Sequence, residues 1–150
     1  MSKTIYADTR QKEGKHTKKH EQLEKLGYTL VHKSLHIGDY MLEDKEHISI
    51  DTKQNLDEVA SNVFDDSGRF MREVRRAYKE KVKLIVLIEH GGTIKTLNDV
   101  AKWNSKHSKI TGKGLSNRLF RIHIAYGTEF IFCDKRVTGK KIAQLLENAC

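Results

Sequence analysis

The chain contains no proline, no low-complexity stretch and no internal repeat, so nothing in its 150 residues marks a linker or a boundary between domains. A single domain over residues 1–150 is expected, large enough to bury about two thirds of its unfolded surface around one core. Cysteine is scarce. Cys133 and Cys150 have neither metal-ligand nor disulfide spacing, which suits a reducing compartment, with Cys133 packed in an apolar run and Cys150 a free thiol near the tail. No apolar run approaches the length of a membrane span, and the N-terminus lacks the apolar region of a secretory signal. These absences argue against a transmembrane or secreted protein, and an intracellular, cytoplasmic one is expected.

Charge is what the chain has in abundance. Charged residues make up 32% against 37% hydrophobic ones, above the roughly 25% charged of an average soluble domain. The net charge is +8 and the pI about 9.5, which points to a polyanionic partner. Nucleic acid is favoured over a membrane surface because no strongly amphipathic basic helix stands out. Non-enzymatic nucleic-acid binders share this balance, so charge alone does not select an activity.

The most informative stretch runs from Leu35 to Asp57. Residues 36–42 and 47–53 alternate in polarity and are separated by Glu43, Asp44, Lys45 and Glu46, the pattern of two strands and a tight connection. A hairpin centred on Lys45 sets Tyr40 opposite Ile50 and Leu42 opposite Ile48, with all four on one face, and sets Asp39 opposite Asp51 on the other. Directly opposed Cβ atoms lie roughly 4.5–5.5 Å apart, within reach of one shared hard divalent cation. Lys53 falls on the same face as Asp51. The same three residues also suit an ordinary solvated hairpin face, and both readings stay open at this point.

Around that hairpin, strands are expected at Thr4–Asp8, Tyr28–Ser34, Leu84–Ile88 and Glu129–Cys133. The apolar run Leu84–Ile88, closed by Glu89, suits an interior strand buried on both faces. Helices are expected through Leu23 and Leu26 up to Gly27, and from Asn55 through Leu56, Val59, Ala60, Val63 and Phe64. Asp65, Asp66, Ser67 and Gly68 interrupt the latter, and the pattern resumes with Phe70, Val74, Ala77 and Tyr78 facing inward. Further helices are expected at Thr96–Trp103, Leu115–Tyr126 and Gly139–Ala149, the last with Ile142, Leu145 and Leu146 inward. His16 and His20, four apart, could share a metal, but with lysines adjacent they read better as solvated or phosphate-facing. Gly112, Lys113 and Gly114 suggest a phosphate cradle but lack P-loop spacing, so Asn104–Gly114 reads as a mobile basic loop. Glu73 reads as an ion-pair partner within a basic segment, or as a helix-borne metal ligand. Alternating helices and strands with an early hairpin indicate an α/β fold about a mixed sheet.

These residues also resemble a known pattern. Gly38 and Asp39, then Asp51, Thr52 and Lys53, then Asp57, resemble the GD, ERK and final acid of the XPF-type nuclease domain. Asp8 and Arg10 resemble that family's opening acid and arginine, Gly68, Arg69 and Phe70 its glycine and arginine turn, and Leu87, Ile88 and Glu89 its following strand end. The likeness runs in order over about Thr4–Glu147. The departures are Asp51 for glutamate, Thr52 for arginine, Gln11 for an acid and Glu73 for a glutamine.

The resemblance implies a restriction-endonuclease-like fold, with a central mixed β-sheet flanked by helices, and a DNA endonuclease acting on branched DNA such as forks and flaps. It implies that Asp39, Asp51 and the carbonyl of Thr52 hold Mg²⁺, with Mn²⁺ able to substitute, and that Asp8 reaches the ion directly or through water. Lys53 would orient the attacking water, with Glu73 and Asp57 as outer groups. Arg10, Arg69, Arg72, Arg76, Lys109 and Lys113 would grip the DNA backbone. A homodimer is implied. Relatives commonly carry a helix-hairpin-helix module after the nuclease and these 150 residues do not, so substrate selection is expected from the nuclease surface, a dimer partner or another protein. A stand-alone nuclease also fits a Holliday-junction resolvase of a phage or bacterial recombination system. Outside catalysis, a basic DNA-binding module is the competing reading, and a site-specific restriction enzyme ranks last.

Overall fold

A computed structural model of the chain describes residues 3–11, 14–65 and 68–148. The interruption expected at Asp66 and Ser67, and the tail at Ala149 and Cys150, lie outside the described residues. Six strands, β1 (Thr4–Asp8), β2 (Thr29–Lys33), β3 (Tyr40–Leu42), β4 (Lys45–Lys53), β5 (Lys83–Ile88) and β6 (Glu129–Phe132), form one sheet in the order β2-β1-β3-β4-β5-β6. β3 runs antiparallel to both neighbours, while the β1–β2, β4–β5 and β5–β6 pairs are parallel. The sheet is therefore mixed, as expected.

Helices cover both faces, because the strands alternate apolar side chains to two sides. On one face α1 (Thr17–Lys25) and α6 (Thr138–Asn148) pack Leu23, Ile142 and Leu146 onto Ile5, Tyr40, Leu42, Ile48, Ile50, Ile85 and Leu87. On the other, α2 (Leu56–Val63), α3 (Arg69–Lys79), the short α4 (Leu97–Val100) and α5 (Gly112–Tyr126) cover Leu84, Val86 and Ile88. The apolar run of β5 is accordingly buried on both faces and flanked by strands on both edges. Asn55 caps α2 by accepting the Glu58 N–H at 2.9 Å, so the chain turns from β4 into a helix within two residues of Lys53.

Several expectations are corrected. Tyr40 pairs with Ile50 as expected, but Leu42 pairs with Lys45 rather than Ile48, because a bulge between the two pairs absorbs the extra residues of β4. Leu42 and Ile48 still share a core, since a bulge can shift the offset without changing the face. Tyr78 is 60% exposed and meets Tyr126 edge-on, while Met71 takes the inward position. The helix expected over Thr96–Trp103 is only four residues long, closed by a capping box between Thr96 and Asp99. Lys113 and Gly114 lie in the first turn of α5 rather than in a loop. There Thr111 caps the helix, and Gly112 packs so tightly on the carbonyls of Val100 and Trp103 that a Cβ has no room. His16 and His20 are half-buried rather than solvated. Among the described residues no helix is long and apolar enough to cross a membrane.

Candidate active site

Asp39 sits at the entry to β3, where its N–H donates to Ile50 O at 2.7 Å and its carbonyl accepts the Asp8 N–H at 2.8 Å. Those bonds lock it between β1 and β4. Gly38 before it has φ +73°, and a Cβ there would strike Ser49 Oγ, so the backbone position and the space both require glycine. Ser49 is fully buried and donates to Ile37 O at 2.7 Å, with Tyr40 O at 3.3 Å. Sequence reasoning missed it, although a serine inside the alternating apolar run of β4 was the signal.

The loop is also held from α3. Glu73 accepts the Gly38 N–H at 3.3 Å, and Arg76 donates to His36 O at 2.9 Å. Arg76 thus braces the loop with part of the guanidinium expected to face DNA. Glu73 turns toward the acids instead of into the basic helix, and burial, opposed by the Gly38 bond and reinforced by Asp39, raises its pKa.

The carboxyls of Asp39 and Asp51 face the same cleft, close enough for each to act on the other's charge. Burial first, and then the neighbouring Asp51, raise Asp39 to about 7. Burial also raises Asp51 to about 6, against the opposing pull of Lys53. Like charges this close cannot both ionise cheaply in a buried setting, so the pair shares a proton near neutrality. Lys53 Nζ stands 3.3 Å from Asp51, with Glu58 at 4.0 Å and the Phe70 ring beneath it at 5.3 Å. Burial pulls the Lys53 pKa down, but Asp51 and Glu58 outweigh it and leave it raised, so the ammonium is charged.

The structure brings Asp8, Arg10, Asp39, Asp51, Thr52 and Lys53 to one cleft, joined by Gln11, Lys15, His16, Gln54 and Glu58. Asp8 accepts Arg10 Nε at 2.9 Å on one oxygen and the Leu35 N–H at 2.9 Å on the other. Arg69 lines an adjoining cavity with Asp51, Lys53, Glu58 and Glu73. Arg72 is exposed on the same helix. Lys109 and Lys113 are exposed but line neither cavity. Asp57 turns away: it accepts Ser105 Oγ at 2.6 Å and borders a cavity between α2 and the loop before α5. Glu58, one residue later in the first turn of α2, faces the acids in its place. A one-residue helical step is about 100°, enough to exchange which of the two reaches the site.

The ERCC4 domain model matches residues 7–145. The chain belongs to the ERCC4 domain family. Two solved structures share the fold of this ERCC4 domain: XPF from Aeropyrum pernix, and the same protein in complex with DNA. Each is 20% identical; they cover 96% and 97% of this chain, with TM-scores of 0.72 and 0.70. The chain spans 63% and 64% of the length of those two structures. Among curated proteins none matches it.

Two neighbouring buried carboxylates whose pKa values are both raised form a donor set that a hard divalent cation would relieve. Among the described residues no three His, Cys, Asp or Glu side chains stand in ready metal-ligating geometry.

Proposed function

We propose that this domain is a divalent-cation-dependent DNA endonuclease that hydrolyses phosphodiester bonds at branched DNA, forks and flaps first. The observation that carries the reading is the Asp39–Asp51 carboxyl pair with the Lys53 ammonium 3.3 Å from Asp51. Asp39, Asp51 and the Thr52 carbonyl would hold Mg²⁺, with Mn²⁺ able to substitute; Asp8 and Glu73 stand around them as groups that fix water or backbone. The ion would polarise the scissile phosphate and make a water more acidic. Lys53 would orient the attacking water and offset the charge that builds on phosphorus as the water oxygen bonds to it and the ester oxygen leaves. Arg10 and Arg69 flank the cleft where they can meet phosphates, and Arg72 extends that face. The family relative seen in complex with DNA supports the choice of partner. A homodimer is part of the proposal.

The test is cleavage of a panel of fork, flap, four-way junction and plain duplex DNA, in Mg²⁺ and in EDTA. Metal-dependent cutting of forks or flaps, lost in Asp51→Ala with DNA binding retained, is the expected result. Paired nicks on opposed strands of the junction alone would identify a resolvase. Binding without cutting in Mg²⁺ or Mn²⁺ would reduce the protein to a basic DNA-binding module.

A further inference from the structure

Beside the acids lies a second cavity of ≈ 470 Å³, lined by Asp8, Thr9, Gln11, Gly14, His16, Thr17, His20 and His32. It shares Asp8, Gln11 and His16 with the acid cleft, so a strand laid across the acids passes its mouth. We propose that this cavity receives an unpaired nucleobase of the strand being cut, held against the imidazoles and read by the Gln11 amide. The inference rests on the nuclease reading for the identity of the strand.

The walls fit a base better than they fit an ion. His16 and His20 are stacked with centroids 6.2 Å apart and an interplanar angle of 23°, and His32 lies 5.7 Å from His20, tilted by 57°. The stacked pair offers an aromatic face with the tilted His32 beside it, the kind of surface on which unpaired bases stack. His20 is fixed by its ring nitrogen, 2.9 Å from the Tyr40 hydroxyl. Gln11 supplies the polar element. Its amide faces the Tyr40 hydroxyl, which is already 2.9 Å from the His20 ring nitrogen, and its buried oxygen and nitrogen make no well-formed hydrogen bond. A side-chain amide offers a donor and an acceptor side by side, the complement of a base edge. The volume falls within the range of small-ligand sites.

Among the described residues no three ligating side chains have the geometry to hold a metal here. A lone phosphate would want net positive charge. The Lys19 ammonium is held between Glu89 at 2.6 Å and His16 Nδ1 at 2.8 Å, its charge balanced by that carboxylate, while burial, with help from Lys19, keeps His16 below the usual imidazole range and burial and the neighbouring His32 do the same to His20.

The experiment is a coupling cycle on the full chain. Single abasic residues are placed one at a time along the unpaired and junction positions of a cleavable fork, and KM is measured for wild type and Gln11→Leu. Because neither amide atom makes a well-formed hydrogen bond, Gln11→Leu should fold with an unchanged or slightly higher Tm. In wild type one abasic position should raise KM about 10-fold or more. Gln11→Leu should raise KM on the intact fork and reduce the penalty of that same position. Abasic effects below twofold at every position, or the full penalty persisting in Gln11→Leu, would overturn the proposal and leave the cavity filled by water alone. If wild type cuts no DNA, the nuclease reading fails separately. The cavity is then decided by the His20 and His32 ring resonances during titration with single-stranded DNA: shifts support occupancy, and unmoved resonances at saturation reject it.

Discussion

The Asp39 carboxylate accepts both the backbone N–H and the side-chain hydroxyl of Thr52 on one oxygen, at 2.9 and 3.1 Å. Position 52 thus reaches across the hairpin and holds the acid in place. Thr52→Val keeps the shape and the backbone bond and deletes only the hydroxyl. It should cost about 0.5–1.5 kcal/mol of stability. If the hydroxyl orients a metal-binding carboxylate, it should also raise the Mg²⁺ concentration needed for half-maximal cleavage by about 10-fold. An unchanged Mg²⁺ titration would mean that the backbone N–H alone positions Asp39.

The acid pair makes stability depend on pH in an unusual sense. Asp39 rises from 3.8 to about 7 and Asp51 from 3.8 to about 6 in the fold, burial being the leading cause of each. Between pH 4 and 7 the native state therefore holds more protons than the unfolded one, and stability falls as pH rises through that window. The loss should be on the order of a few kcal/mol in metal-free protein. Other carboxylates titrate too, so the measurement is the difference in Tm between wild type and Asp39→Asn across that range. The variant should lose the share of the decline that Asp39 contributes and keep the smaller share from buried Asp51, and Mg²⁺ should restore wild type at neutral pH. A wild-type profile parallel to that of Asp39→Asn would show that the pair carries no such strain.

Much of this site was readable before the fold was known, for a physical reason. A strand with one buried face can hide Tyr40, Leu42, Ile48 and Ile50 together only by placing Asp51 and Lys53 on the opposite face, so alternation alone groups the chemistry. The bulge was not readable, because a period of two fixes the face and says nothing about offset. Glu43 and Asp44 carry no turn chemistry that dictates a connection. The start of α5 was hidden for a different reason: two glycines lower helix propensity, and the contact of Gly112 with Val100 and Trp103 is tertiary. Asp57 and Glu58 show the limit of a motif, which fixes spacing but not which neighbour the helix turns inward.

Away from the acids, Lys19 and Glu89 form a buried pair at 2.6 Å, 8% and 2% exposed, with Thr138 donating to Glu89 at 3.1 Å. Lys19 belongs to α1 and Glu89 closes β5, so the pair ties a helix to the sheet. Lys19→Met leaves an uncompensated buried carboxylate and should cost about 3–5 kcal/mol. Adding Glu89→Leu should recover most of that loss, because two apolar side chains can replace a buried pair at little net cost. Urea denaturation of the two single variants and the double variant measures the coupling. Additive losses would show that the two charges do not depend on each other.

The basic residues singled out for DNA differ in where they stand, and so they should differ in effect. Arg69 borders the cavity that also contains Asp51 and Lys53, whereas Lys109 and Lys113 line neither cavity at the acids. A residue that meets a phosphate releases about one counterion, so its loss lowers the slope of log affinity against log salt by about one. Arg69→Ala should show that change, measured by fluorescence anisotropy on a fork in Ca²⁺ or EDTA to prevent cutting. Lys113→Ala should show less if DNA is confined to the acid cleft. Its slope changes as much as that of Arg69→Ala only if the bound DNA extends across α2 to the start of α5, along the helical layer that carries Arg69.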